Sequence, residues 1–111
     1  MGGTAMAKVE EIEGRVGMRR FFCPACKEYH YIGVAQNNMG FPIWTFNGDN
    51  ENPTISPSVK VEYHGADKDT VCHSFIRNGK IEFLTDCTHE LAGKTVEMVD
   101  LSTLKMKNYE K

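Results

Sequence analysis

Residues 72–87 read Cys72-His73-Ser74-Phe75-Ile76-Arg77-Asn78-Gly79-Lys80-Ile81-Glu82-Phe83-Leu84-Thr85-Asp86-Cys87. Two β-favouring runs flank Asn78-Gly79, a dipeptide suited to a two-residue type I′ turn, so the stretch predicts an antiparallel hairpin. The turn pairs Arg77 with Lys80, Ile76 with Ile81, Ser74 with Phe83 and Cys72 with Thr85. Side chains alternate, which puts Cys72 and Cys87 on one face, a diagonal step apart. On the other face His73 stands opposite Leu84, with Asp86 next along.

A second hairpin is signalled upstream. Cys23-Pro24-Ala25-Cys26 lies between two runs rich in β-branched and aromatic residues, Val16 to Phe22 and Tyr29 to Val34. Two thiolates projecting from such a turn make a zinc knuckle, half of a tetrahedral site. Cys72 and Cys87 supply the other half, so the expected cofactor is a structural Zn2+ held by Cys23, Cys26, Cys72 and Cys87. Four thiolates leave no open coordination position, and any chemistry then lies elsewhere. His30 completes a Cys-x-x-Cys-x-x-x-His pattern and is the alternative fourth ligand; His89 is another. Disulfides are the competing use of four cysteines, but they need an oxidising compartment, and no secretory signal opens the chain; the expectation is a cytoplasmic protein. A redox Cys-x-x-Cys normally opens a helix, whereas strands surround this one.

At 111 residues the chain has the length of one domain. A domain of this size buries only about two-thirds of its unfolded surface, so a metal cross-link contributes materially to stability. The net charge of −2 provides no broad attraction for nucleic-acid phosphates, and no apolar run approaches the length of a membrane span. Residues 1–14 read as a flexible tail or a cloning remnant, 15–100 as a zinc-binding β domain, and 101–111 as a tail or short helix. Further strands are predicted at Ile43 to Phe46, Ser58 to Tyr63 and Thr95 to Val99, with loops over Ala35 to Pro42 and Asn47 to Pro57 and a helical turn at 88–93. Trp44 is the expected anchor of a core with Phe22, Ile32, Phe46, Ile76, Ile81 and Phe83. The expected fold is mainly β: a small antiparallel domain of zinc-linked hairpins with one or two short helices.

The face carrying His73 and Asp86 invites a hydrolytic reading, because an imidazole oriented by a carboxylate can take a proton from a hydroxyl. Candidate hydroxyls lie in Pro53-Thr54-Ile55-Ser56-Pro57-Ser58, where two prolines rigidify the approach to a strand. Ser58 is the first choice, Ser56 the second and Ser74 the third; His89 is an alternative base. The contrasting reading treats Ser and Thr beside Pro as turn residues and His73 as a structural neighbour of a zinc ligand. Ser58 and His73 buried in unrelated hydrogen bonds would favour a non-catalytic, zinc-stabilised interaction module.

Taken together, Cys-Pro-Ala-Cys with His30, Trp44-Thr45-Phe46-Asn47-Gly48-Asp49, Pro53-Thr54-Ile55-Ser56-Pro57-Ser58, Cys72-His73-Ser74-Phe75-Ile76 and Asp86-Cys87-Thr88-His89-Glu90-Leu91-Ala92-Gly93 resemble a family of small phage and prophage zinc-binding proteins often labelled ammonia monooxygenase. A diverged branch is similar to the serine peptidase of bacterial ubiquitin-like (Bub) operons. On that resemblance Pro57-Ser58-Val59 keeps the serine, and Cys72-His73-Ser74 keeps the histidine with Ile76, Gly79 and Ile81 in register. The resemblance implies a zinc-containing serine peptidase whose partner is a host or phage protein, a ubiquitin-like protein among them.

Overall fold

Burial alternates along the two hairpins, so that each hides one face: Phe21, Cys23, His30 and Ile32 in the first, and Cys72, Ser74, Ile76, Ile81 and Phe83 in the second. The structure, a computed structural model, describes residues 7–36, 40 and 42–104. A three-stranded antiparallel sheet has the order β1 (Glu10–Glu11), β2 (Met18–Cys23), β3 (Glu28–Gly33). A five-stranded antiparallel sheet follows in chain order: β4 (Thr45–Phe46), β5 (Ile55–His64), β6 (Asp69–Arg77), β7 (Lys80–Phe83) and β8 (Thr95–Glu97). Residues 101–104 form one short helical turn. The fold is mainly β, as expected.

The β6–β7 hairpin turns at Asn78 and Gly79, whose φ values of +50° and +77° are those a type I′ turn requires. Its register is Arg77 to Lys80, Ile76 to Ile81 and Ser74 to Phe83. The ladder stops at Phe83, so the expected pairing of Cys72 with Thr85 does not form. Instead Leu84 donates its N–H to the His73 carbonyl at 2.9 Å, and the chain turns, with Cys87 N–H bonded to Leu84 C=O at 3.2 Å. The 84–88 segment thereby caps the β6 edge that β7 leaves uncovered: Thr88 N–H reaches Val71 C=O at 3.0 Å, and Val71 N–H reaches Thr88 Oγ1 at 3.0 Å.

Phe21, Cys23 and Ile32 from the first sheet meet Ile55, Val59, Cys72, Ile76, Ile81 and Phe83 from the second in one core. Each large apolar side chain so buried contributes about 1.5–3 kcal/mol. Phe21 occupies the place expected for Phe22, because β2 is offset by one: Phe22 instead stacks edge-on against Tyr29, ring centroids 5.5 Å apart. Trp44 and Phe46 are only half-buried and flank the core. The first fourteen residues, expected as a tail, contribute a fully buried Val9 and strand β1. Val9 offers the core an apolar side chain that its short, acidic surroundings hide from a composition-based reading. At the other end Leu101 is buried and its N–H bonds Ala7 C=O at 2.8 Å, joining the two ends of the described chain. Residues 88–93 form turns rather than helix.

Strand β5 begins at Ile55, inside the expected loop. Between the pairs Ile55 to Ile76 and Val59 to Ser74, β5 advances four residues while β6 advances two, so Ser56, Pro57 and Ser58 bulge from the ladder. Bulges re-aim side chains beside functional sites.

Candidate active site and metal centre

Adjacent residues of a strand point to opposite sides of a sheet. Cys72 therefore enters the core with Ser74 and Ile76, while His73 joins Lys60, its cross-strand partner, on the outer face. The bulge turns Ser58 onto that outer face as well. Ser58 Oγ lies 2.9 Å from His73 Nε2, and His73 Nδ1 lies 3.0 Å from Asp86 Oδ2. The hydrogen bond to His73 holds the Asp86 carboxyl below its ordinary range. An ionised Asp86 accepts from Nδ1–H, which leaves Nε2 as the acceptor facing the serine hydroxyl. A shallow groove of about 540 Å³ runs past His73, Leu84, Asp86 and Gly93.

The backbone of His73 is held from the following turn. Its N–H points at Cys87 Sγ at 3.2 Å, and Cys87 S–H donates to its carbonyl at 3.2 Å. Consecutive residues thus hold two parts of one histidine, Asp86 the ring and Cys87 the main chain. Beside Ser58, the Trp44 indole N–H donates to the Ser58 carbonyl at 3.2 Å. The other candidate hydroxyls do not meet this histidine: Ser56 pairs with Thr45 at the exposed edge, and Ser74 Oγ is buried in the core without a hydrogen-bond partner among the described residues. His89 packs edge-on against Phe83 at 4.6 Å and accepts from Leu91 N–H at 3.2 Å, away from Ser58.

On the core side, Cys23, Cys26, His30 and Cys72 bring one donor atom each to within 4.8 Å of one another. Cys87, expected as the fourth ligand, is not in this group; it shares a smaller one with Cys72 and His89. The reason is the end of the β7 ladder, which diverts Cys87 onto the His73 backbone. His30 takes the position because β2 and β3 pair Phe21 with His30 directly, placing the imidazole on the face of Cys23. The set fits a metal such as zinc: Cys23 and Cys72 Sγ are 3.8 Å apart, and Zn–S bonds of about 2.3 Å subtend a tetrahedral edge of about 3.8 Å. His30 is buried with its Nε2 lacking a hydrogen-bond partner among the described residues, and Cys26 N–H donates to Cys23 Sγ at 3.3 Å. The Cys72 hydrogen bond, helped by His30, draws the Cys23 thiol below its ordinary range against the effect of burial. Burial, then the Cys23 charge, pushes Cys26 up to about 11.

Residues 4–84 match the family model described as bacterial ubiquitination-like system serine protease (BubE). The chain belongs to the BubE family. The match includes Ser58 and His73 and ends two residues before Asp86. The phage-type affiliation expected from the motifs finds no support in it, whereas the peptidase branch, expected as the distant likeness, is the family itself. No curated protein and no solved structure matches the chain. Among the described residues no helix is long and apolar enough to cross a membrane.

Proposed function

We propose that this BubE-family protein is a serine peptidase with Ser58 as nucleophile, His73 as general base and acid, and Asp86 as the group that orients and stabilises the imidazole. Its substrate in this reading is a ubiquitin-like protein or its conjugates. The observation that carries the proposal is the continuous hydrogen-bonded relay from Ser58 Oγ through both ring nitrogens of His73 to Asp86. Oγ attacks the scissile carbonyl carbon as its proton passes to His73 Nε2. The imidazolium, stabilised by Asp86, gives that proton to the departing amine as the C–N bond breaks. Water then repeats the sequence: His73 takes its proton, the oxygen attacks the acyl carbon, and Ser58 leaves with the proton returned to Oγ.

A zinc ion in the Cys23, Cys26, His30 and Cys72 set would supply a cross-link between the two sheets. With four protein donors it would keep no open position, and it would sit on the opposite side of the sheet from Ser58. The chain's own residues do the proton transfers.

Ser58→Ala deletes only a hydroxyl. The proposal expects a fluorophosphonate probe to label the wild-type protein at Ser58, with labelling absent in Ser58→Ala and in His73→Ala while their thermal melts remain cooperative. Wild-type protein that resists the probe under conditions where it is folded would defeat the peptidase reading and favour the interaction module.

A further inference from the structure

Odd-numbered residues of β6 direct their main-chain groups toward the β7 side: His73 C=O receives Leu84 N–H, and Val71 exchanges bonds with Thr88. The even residues Cys72 and Ser74 therefore face β5, where they pair with Val61 and Val59. Within β5 the N–H and C=O groups of Val59 and Val61 are turned inward, and those of Lys60 and Glu62 point out of the opposite edge. On that edge β4 covers only Ile55 and Ser56, and the Ser58 carbonyl is taken by Trp44. Among the described residues no strand covers the edge from Lys60 onward, and both Lys60 and Glu62 are exposed. Natural sheets usually blunt such an edge.

The relay fixes which part of a substrate approaches this edge. His73 must protonate the leaving amine, so the leaving side lies toward β6 and the groove beside Asp86. The acyl side consequently extends from Ser58 away from His73, over the outer edge of β5. Resting on the serine-peptidase reading above, we infer that the main-chain groups of Lys60 and Glu62 dock the acyl-side segment of the substrate as an added β-strand. The partner is an extended, unstructured peptide stretch, recognised by backbone hydrogen bonds and only secondarily by its side chains. A folded substrate can offer such a stretch only as a tail or linker.

The test compares two probes for Ser58: a phosphonate carrying a single residue, and one carrying four alanine-type residues on the acyl side. Added-strand docking expects the longer probe to inactivate wild-type protein roughly ten-fold faster or more, as two or three backbone bonds imply. In Glu62→Pro the ratio of long to short rates collapses toward one, because proline removes the outward N–H without touching the β6 ladder. N-methylation of the long probe provides an arm independent of protein folding. Methylating one alternate set of its amides abolishes the length advantage, and methylating the other set preserves it, the period of two being the signature of a strand. Equal rates for both probes, an unchanged ratio in Glu62→Pro, or methylation effects without alternation overturn the inference while leaving Ser58 reactive. A dimer that Glu62→Pro dissociates, with no length dependence, assigns the edge to a second copy and overturns it too. Failure of both probes and of a small fluorophosphonate to label Ser58 defeats the peptidase reading itself, and this inference with it.

Discussion

Exchanging His30 and Cys87 in turn separates two accounts of the metal centre. A structural zinc contributes about 10–16 kcal/mol of apparent binding energy to folding, or roughly 2.5–4 kcal/mol for each of four ligands. A chain of this length has a total stability of about 5–15 kcal/mol, so losing one ligand removes a large share of it. His30 is buried and also packs edge-on against Phe21 with centroids 5.6 Å apart, which adds a cavity cost to the ligand loss. His30→Ala should therefore release the metal and lower the melting temperature by about 10–20 °C, at roughly 4 °C per kcal/mol. His30→Cys restores a soft donor at the same place and should keep the metal. Cys87→Ala removes two sulfur hydrogen bonds to the His73 backbone. Its cost is about 1–2 kcal/mol for an amide left without an acceptor, with one equivalent of metal retained. Elemental analysis after gel filtration, paired with thermal melts, reads both quantities. Metal lost from Cys87→Ala and kept in His30→Ala would show that the site is the four-thiolate set after all.

Asp86→Asn should leave the fold intact and sharply slow hydrolysis, because the amide no longer enforces the Nδ1–H tautomer; single-turnover acylation rates read the effect. The same variant has a pH signature in stability. Folding favours ionised Asp86, so its contribution is full above the unfolded carboxyl value and is lost as pH falls through the lowered folded value. Denaturant midpoints of wild type and Asp86→Asn should thus converge in acid and separate toward neutrality. Val9→Asp places a charge in the core and should prevent folding, whereas Val9→Ala should cost about 1–2 kcal/mol; an unchanged melt would return residues 1–14 to the status of a tail. Ile76→Ala, fully buried near the turn end of β6, should cost about 2–5 kcal/mol by chemical denaturation.

The hairpin from Ser74 to Phe83 was readable because Asn78-Gly79 fixes the turn and the turn fixes the register, whereas Asp86 meets His73 from the turn that follows the ladder rather than by strand alternation. Legibility ended where the ladder ended. The departure of the chain after Phe83 depends on capping bonds from Thr88 to Val71, and no local pattern announces them. That departure is why Cys87 stands outside the group formed by Cys23, Cys26, His30 and Cys72. His30 was ambiguous for a different reason: Cys-x-x-Cys-x-x-x-His allows it to point either way until the Phe21 to His30 pairing is known. The bulge at Ser56 to Ser58 was hidden because Asn and Pro nearby suggest a loop, while the strand on either side is sustained by pairing with β6. Val9 escaped notice because its burial is created wholly by tertiary contact.

Cys72 and His73 are one peptide unit apart on opposite sides of the same strand. In the proposed peptidase this adjacency has a practical consequence for how the enzyme would be classified. A chelator that stripped the thiolate centre would loosen β6 and, with it, the alignment of the imidazole with Ser58. An inhibitor panel would then report sensitivity to chelation beside sensitivity to fluorophosphonates, and the former alone would assign the protein to the metallopeptidases. The two sensitivities should differ in time course. Serine capture would follow the reagent's bimolecular rate, whereas chelation would lag behind, governed by metal release, and re-addition of zinc would reverse only the latter.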